Sequence, residues 1–207
     1  DFCAPTAPAI ENLTPPEGYT LVITNTGGSH AALTEHYAAI KTEMREVAAY
    51  FGAEVLREVP YERFFEALPQ LRKRVSERAI LRAFHFFEEN ERVDAAAAAL
   101  KTGDVASFLA SIEASGVSSL NCLQNCFVPG SCEQPVTLAL HMSDQLIRNG
   151  AVRVHGGGFA GTVLAYLSDA EAAAYAAAMG RVFGADNVFT AHVRLPGTIR
   201  IVPEELA

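Results

Sequence analysis

Residues 150–162 read Gly-Ala-Val-Arg-Val-His-Gly-Gly-Gly-Phe-Ala-Gly-Thr, and they constrain this chain more than any other stretch. Three consecutive glycines, Gly156, Gly157 and Gly158, stand between two β-prone runs, Ala151 to Val154 and Thr162 to Leu167. A residue without Cβ takes positive φ at little cost and lets another group come close. Two readings stand. The triplet is a tight strand-to-strand connection, or it bares a backbone surface for something that lies against it. Neither common phosphate cradle fits. The chain holds no Gly-x-x-x-x-Gly-Lys-Ser/Thr. Gly156 to Gly161 matches Gly-x-Gly-x-x-Gly, but a dinucleotide site needs a helix to start there, and Thr162 to Leu167 has strand character.

A chain of 207 residues, half of them hydrophobic, can bury a sizeable core in one large or two small domains. Its net charge of −8 argues against a nucleic-acid surface, which needs clustered positive charge. Arg72-Lys73-Arg74 is short enough to be a solvated helix end. No apolar run reaches the length of a membrane span, so no membrane partner is expected either. Of the four cysteines, Cys122, Cys126 and Cys132 share one segment without the paired Cys-x-x-Cys spacing of a structural zinc site, and no metal is expected. With Cys3 they are read as reduced thiols of a cytoplasmic protein.

Pro5, Pro8, Pro15 and Pro16 make residues 1–18 an irregular lead-in. Tyr19 to Thr24 reads as a strand. Ser29 is a candidate cap for a helix that carries Leu33, Tyr37, Ile40, Met44, Val47, Ala48 and Phe51 at spacings of three and four and ends at Gly52. A short helix is predicted over 61–68, a long one from Val75 to Leu100 with Gly103 behind it, and one from the Asp104 cap to about Ala114. Residues 115–134 read as loop and Pro135 to Arg148 as helix. Ser168-Asp169-Ala170-Glu171 has the form of a capping box for a helix to Phe183, closed by Gly184. Asn187 to Arg194 and Thr198 to Val202 read as strands. At least five strands and about six helices in this order suit an α+β domain, a small antiparallel sheet covered by helices.

Three ordered blocks resemble the galactokinase branch of the GHMP small-molecule kinases. Val154 to Thr162 is similar to the family's glycine-rich third motif. Arg82-Ala83-Phe84-His85, Glu89-Asn90-Glu91-Arg92-Val93 and Leu100-Lys101-Thr102-Gly103-Asp104 look like its Arg-Ala-x-His, Glu-Asn-x-Arg-Val and Leu-x-x-Gly-Asp helix pair. Asn25 to Gly52, with His30, Glu35 and Tyr37, looks like the segment carrying Ser/Thr-Glu-Tyr before a helix. The chain also departs from the pattern. His155 stands for Thr, Ala160 for a glycine and Thr162 for Cys, Ile40 and Lys41 replace an Arg-Arg pair, and Ser115 to Leu120 reduces a Ser-His-x-Ser-Leu block. These changes mark a divergent branch.

The resemblance implies a fold like the ferredoxin-like C-terminal domain of GHMP kinases over residues 19–207. The family's N-terminal sugar segment, Ser-rich phosphate loop and catalytic Asp have no counterpart here, so no catalytic residue is assigned. The implied function is the substrate-cleft half of a sugar 1-kinase that uses ATP and Mg2+ in its full-length form, the isolated chain being inactive. A non-catalytic sugar-sensing or protein-binding module is the alternative. The implied partners are a small sugar and the N-terminal kinase half.

Tyr37, Gly156, Gly157 and Gly158 are the implied sugar-side residues, with Arg153, His155, Phe159 and Gly161 completing the motif. From pattern alone Tyr37 also fits a core tyrosine with a satisfied hydroxyl. His30 reads as a turn or cap residue and His85 as a buried, hydrogen-bonded helix histidine. Glu88, Glu89 and Glu91 read as a solvated face. Arg153 and His155 share one side of a strand, where either could meet a phosphate or a sugar hydroxyl or simply be solvated.

Overall fold

Alternating burial organises the centre of the molecule. β1 (Tyr19–Asn25) buries every second residue, Thr20, Val22 and Thr24. β2 (Gly150–His155) and β3 (Thr162–Ser168) flank the glycines, and β4 (Val188–Ala191) follows the last helix. The computed structural model describes residue 7 and residues 10–28 and 33–193. Within them the strands form one four-stranded sheet in the order β2-β3-β1-β4, with every neighbouring pair antiparallel. The fold is α+β.

Each face of the sheet has its own cover. Val22, Val152, Val154, Val163, Ala165 and Leu167 pack under α6 (Pro135–Leu146) and α7 (Asp169–Phe183), which contribute Val136, Ala139, Tyr175 and Met179. Ala151, Tyr19 and Tyr166 face the other way. They lie against Ala99 near the end of α4 (Glu77–Thr102) and against Phe108 and Leu109 of α5 (Val105–Ser118). A separate helical core joins α1 (Thr34–Tyr50), α2 (Tyr61–Glu66), α3 (Leu68–Leu71) and the first half of α4 through Val47, Val59, Phe64, Leu71 and Ala83. Burying a side chain such as Phe64 or Leu71 contributes about 1.5–3 kcal/mol.

Several helix limits follow the sequence signals. Gly103, at φ 71°, stops α4 as expected, but the helix starts at Glu77 rather than Val75, because the Ser76 hydroxyl caps it by accepting from the Ala79 N–H at 3.1 Å. The Asp104 carboxylate accepts from the Ser107 N–H at 3.0 Å and starts α5.

Other limits differ from expectation. Instead of fraying near Ala114, α5 runs to Ser118 and continues as a π-turn, Ser119–Leu123. Gly116 explains the extension. A Cβ there would lie 2.7 Å from the Val152 carbonyl oxygen, so α5 sits directly on β2, and that packing offsets glycine's weak helix propensity. The helix expected over 61–68 divides at Ala67, because Pro69 has no N–H to give and its ring excludes the preceding turn's carbonyl.

The capping box does not form as such: Ser168 precedes α7 but its hydroxyl makes no cap bond. The Glu171 carboxylate accepts from the Asn149 N–H at 2.9 Å, and Asp169 accepts from the Thr20 hydroxyl at 2.7 Å. The acidic first turn thereby ties α7 to the sheet. Ser29, His30 and the strand read over 198–202 lie outside the described residues.

Two serines that precede helices should therefore differ. Ser76→Ala loses a real cap, costing about 1 kcal/mol, and should lower Tm by roughly 2–4 °C for a domain of this size. Ser168→Ala should stay within about 0.5 kcal/mol of the parent. Thermal melts of both variants check the contrast.

Candidate functional site: the glycine-rich loop

The β2–β3 connection is held from three sides. Gly156 and Gly158 take φ of 69° and 77°, and Phe159 takes 59°. Phe159 is thus a bulky residue in left-handed backbone, a conformation that costs roughly 1–2 kcal/mol. Its surroundings hold it there. It is 1% exposed, its N–H donates to the Asn125 carbonyl, and its ring meets the Tyr37 ring edge-on at 5.2 Å between centroids. Leu33 and Ala160 complete this small apolar cluster.

The loop carbonyls are gripped in turn. The Tyr37 hydroxyl donates to the Gly158 oxygen at 2.8 Å. The Asn125 carboxamide donates to the Gly157 oxygen at 3.0 Å. Thr26 donates both its N–H and its hydroxyl to the Gly161 oxygen, each at 2.7 Å. Tyr37 is half-buried, and burial raises its pKa above the ordinary value.

The three glycines have unequal reasons to be glycine. A Cβ on Gly156 would meet nothing within 4 Å, so only its φ demands the residue. A Cβ on Gly157 would lie 2.8 Å from Tyr37 Cε1. A Cβ on Gly158 would lie 2.7 Å from Asn125 Cγ, and its φ is positive as well. What lies against this backbone includes the protein's own Tyr37 and Asn125.

Arg153 and His155 do share a sheet face, the one toward α4 and α5. His155 is exposed at the strand end. Arg153 is engaged inward: its guanidinium donates to the Val154 carbonyl at 3.2 Å and lies 3.5 Å from Glu89. Glu89 is accordingly not part of a solvated face. It pairs with Arg92 Nε at 2.8 Å and accepts from the Ser115 hydroxyl. Burial pushes the Glu89 pKa up, but the Ser115 and Arg92 bonds and the nearby Arg153 charge pull it further down, leaving it below the usual value. His85 is buried beside this cluster and shares a 2.9 Å hydrogen bond with Ser118, as its sequence context suggested. Burial lowers the His85 pKa, the Glu89 charge opposes this, and the nearby Arg92 and Arg153 charges add to the lowering.

Burial pushes the Cys126 thiol up to about 12, which leaves it a poor nucleophile. Among the described residues no group of three or more His, Cys, Asp or Glu side chains could hold a metal ion. No helix is long and apolar enough to cross a membrane among those residues.

The geometry can be set beside known proteins. No protein-family profile matches the chain. Galactokinase from Actinobacillus pleuropneumoniae is 31% identical over 155 residues, 74% of this chain and 38% of that protein. Galactokinase from Haemophilus influenzae is 32% identical over 152 residues, again with 38% of the relative matched. The crystal structure of Lactococcus lactis galactokinase complexed with galactose superposes with a TM-score of 0.69, covering 86% of this chain and 45% of that one, at 23% identity. The chain is galactokinase-like. It spans less than two-fifths of the length of the curated galactokinases it matches.

In this galactokinase-like fold the two stretches singled out for a sugar, Tyr37 and the glycine triplet, meet across 121 positions of sequence. Thr26 was not legible in the sequence: its place beside Gly161 follows from the β1–β3 register, which pairs Asn25 with Thr162. Asn125 carried no signal either, because it follows a π-turn that no hydrophobic period announces.

Alanine at each glycine should separate their roles. Gly156→Ala should lose about 1–2 kcal/mol through φ alone. Gly158→Ala should lose more, since backbone strain adds to the clash with Asn125. Gly157→Ala should fall between unless the Tyr37 ring shifts. Denaturant melts on one preparation of each variant rank them.

The buried cluster also gives stability a pH dependence. The His85 pKa lies below its ordinary 6.5 in the folded protein, so the unfolded chain binds more protons as pH falls through that value, and stability drops. Glu89, lowered from 4.5, stabilises above that pH and loses its contribution as pH falls through its folded value. Tm should be flat between about pH 7 and pH 8 and decline in two limbs below that range, while above it the unfolded chain's Cys126 thiol ionises and the folded one, held up to about 12, does not, so stability falls again. His85→Gln should erase the upper limb only, as read by melts across the pH series.

Proposed function

We propose that residues 19–207 form the C-terminal, substrate-cleft domain of an ATP-dependent sugar kinase, with residues 1–18 as its irregular lead-in. In the proposed reaction the anomeric hydroxyl of galactose or a close relative attacks the γ-phosphorus of ATP. The hydroxyl proton passes to a base, the bond to the β-phosphate oxygen breaks, and ADP leaves with sugar 1-phosphate as product. Such transfers depend mainly on positioning and charge stabilisation. In this proposal the base, the phosphate loop and Mg2+ belong to an N-terminal kinase half. Among the described residues no cluster of three or more His, Cys, Asp or Glu side chains offers a metal ion a site of its own.

One observation carries the proposal: the Tyr37 hydroxyl bonded to Gly158, which joins the two galactokinase-like sugar motifs into one surface. On that surface this chain's residues would shape and close one wall of the cleft. The half-buried Tyr37, backed by the buried Phe159, would supply an apolar edge that excludes water, and Gly156, whose missing Cβ faces open space, would let the ring of a sugar lie close to the backbone.

The full-length protein with MgATP and galactose should give sugar 1-phosphate, while the isolated chain should give none above background. Galactose binding without turnover by the full-length protein would point to the sugar-sensing alternative. Tyr37→Phe in the full-length protein should weaken sugar use by roughly 2- to 10-fold, the loss of one hydroxyl contact. Steady-state kinetics beside a melt check it. Unchanged kinetics with a lowered Tm would make Tyr37 a core tyrosine only.

A further inference from the structure

We propose that Asn125 is a positioning residue for the glycine-rich loop, and through it for the sugar; the second clause rests on the kinase function proposed above. Asn125 is 3% exposed and meets the loop with both halves of the residue. Its backbone carbonyl takes the Phe159 N–H, and its side-chain amide grips the Gly157 carbonyl at 3.0 Å. Between those bonds lies Gly158, whose missing side chain leaves the room that Asn125 fills. One residue therefore fixes three successive loop positions.

The approach to Asn125 is itself built for this. α5 loosens into the π-turn Ser119–Leu123, and Gln124 then takes φ 57°. These two irregularities lift the chain off the helix axis and turn Asn125 toward β2–β3. π-turns inside helices are often found at functional sites. The Leu123 carbonyl, at the end of the turn, accepts from Arg82 Nε at 3.2 Å, so the turn is anchored to α4. Asparagine suits the place because its carboxamide offers a donor without a charge. Aspartate would set a carboxylate against a carbonyl, and alanine would leave the Gly157 oxygen without that donor.

Tyr37 and Asn125 thus hold neighbouring carbonyls of the loop. Tyr37 takes the Gly158 carbonyl from the α1 side, and Asn125 takes the Gly157 carbonyl from the α5 side. Loss of Asn125's grip should free the loop while α1, the sheet and the separate helical core keep their packing.

The test compares Asn125→Ala in the full-length protein with Val59→Ala, a truncation in the separate helical core. The expected result for Asn125→Ala is amide exchange at residues 157–159 faster by about 10-fold. The KM for the sugar should rise by a similar factor, with the KM for ATP unchanged. Val59→Ala should lower Tm and leave both KM values and the loop exchange alone. Should Asn125→Ala not fold, Asn125→Ser removes the same amide and is read by the same measurements. Loop exchange equal to wild type, or a sugar KM that does not move while wild type turns sugar over, overturns the proposal. Equal changes in both KM values also overturn it. If the wild-type full-length protein phosphorylates no hexose, the kinase function fails, and exchange at 157–159 alone decides whether Asn125 positions the loop.

Discussion

One buried guanidinium fixes the frame of the site. Arg82 is 1% exposed and donates to the Glu43 carboxylate at 2.8 Å and to the Leu123 carbonyl at 3.2 Å. Burial lowers its pKa, and the Glu43 charge opposes that; an arginine remains charged at any physiological pH. A charge so placed is tolerable only if it is paired and hydrogen-bonded. Its partners therefore cannot drift. Glu43 lies on α1, six positions beyond Tyr37, and Leu123 lies two positions before Asn125. A single side chain thus sets the separation between the two residues that grip the glycine-rich loop. Arg78 adds a second cation to Glu43 and completes that carboxylate's hydrogen bonding.

The loop also stands where different packing regions meet. Behind β2 lies the polar cluster of His85, Glu89, Arg92 and Arg153, which lets the sheet face α4 and α5 without a continuous apolar seam. Beyond α1 lies the helical core around Phe64. Leu33, Phe159 and Ala160 form the small cluster at the loop itself. Stability and site geometry are thereby partly separable: the large cores carry most of the buried apolar surface, while the loop is set by a few directional hydrogen bonds.

Much of the fold was legible because its signals were local. The β-prone run Tyr19 to Thr24, the cap at Asp104, and Gly103 behind the long helix each act within a few residues, and each appears in the structure. Three blocks of residues also carried the galactokinase resemblance. What could not be read was set by contacts distant in sequence. Gly116 discourages a helix by itself and becomes helical because β2 lies under it. Glu89 sits in an acidic run that looks solvated, yet Arg153, 64 positions away, turns it inward. The glycine triplet announced a close approach but not its neighbours, since Asn125 comes from an irregular turn in another part of the chain.

The packing of the triplet has a consequence for descent. Gly157 is bound to the size of Tyr37, and Gly158 to the size of Asn125. A lineage that enlarged either glycine first would pass through a form with a collision in its loop. One that first shrank Tyr37 or Asn125 would lose a carbonyl's donor. Neither single change is neutral, so each pair can be exchanged only by two coordinated mutations. The motif would then persist through sequence drift even where the ligand it faces had changed, because its glycines also answer to neighbours inside the same chain.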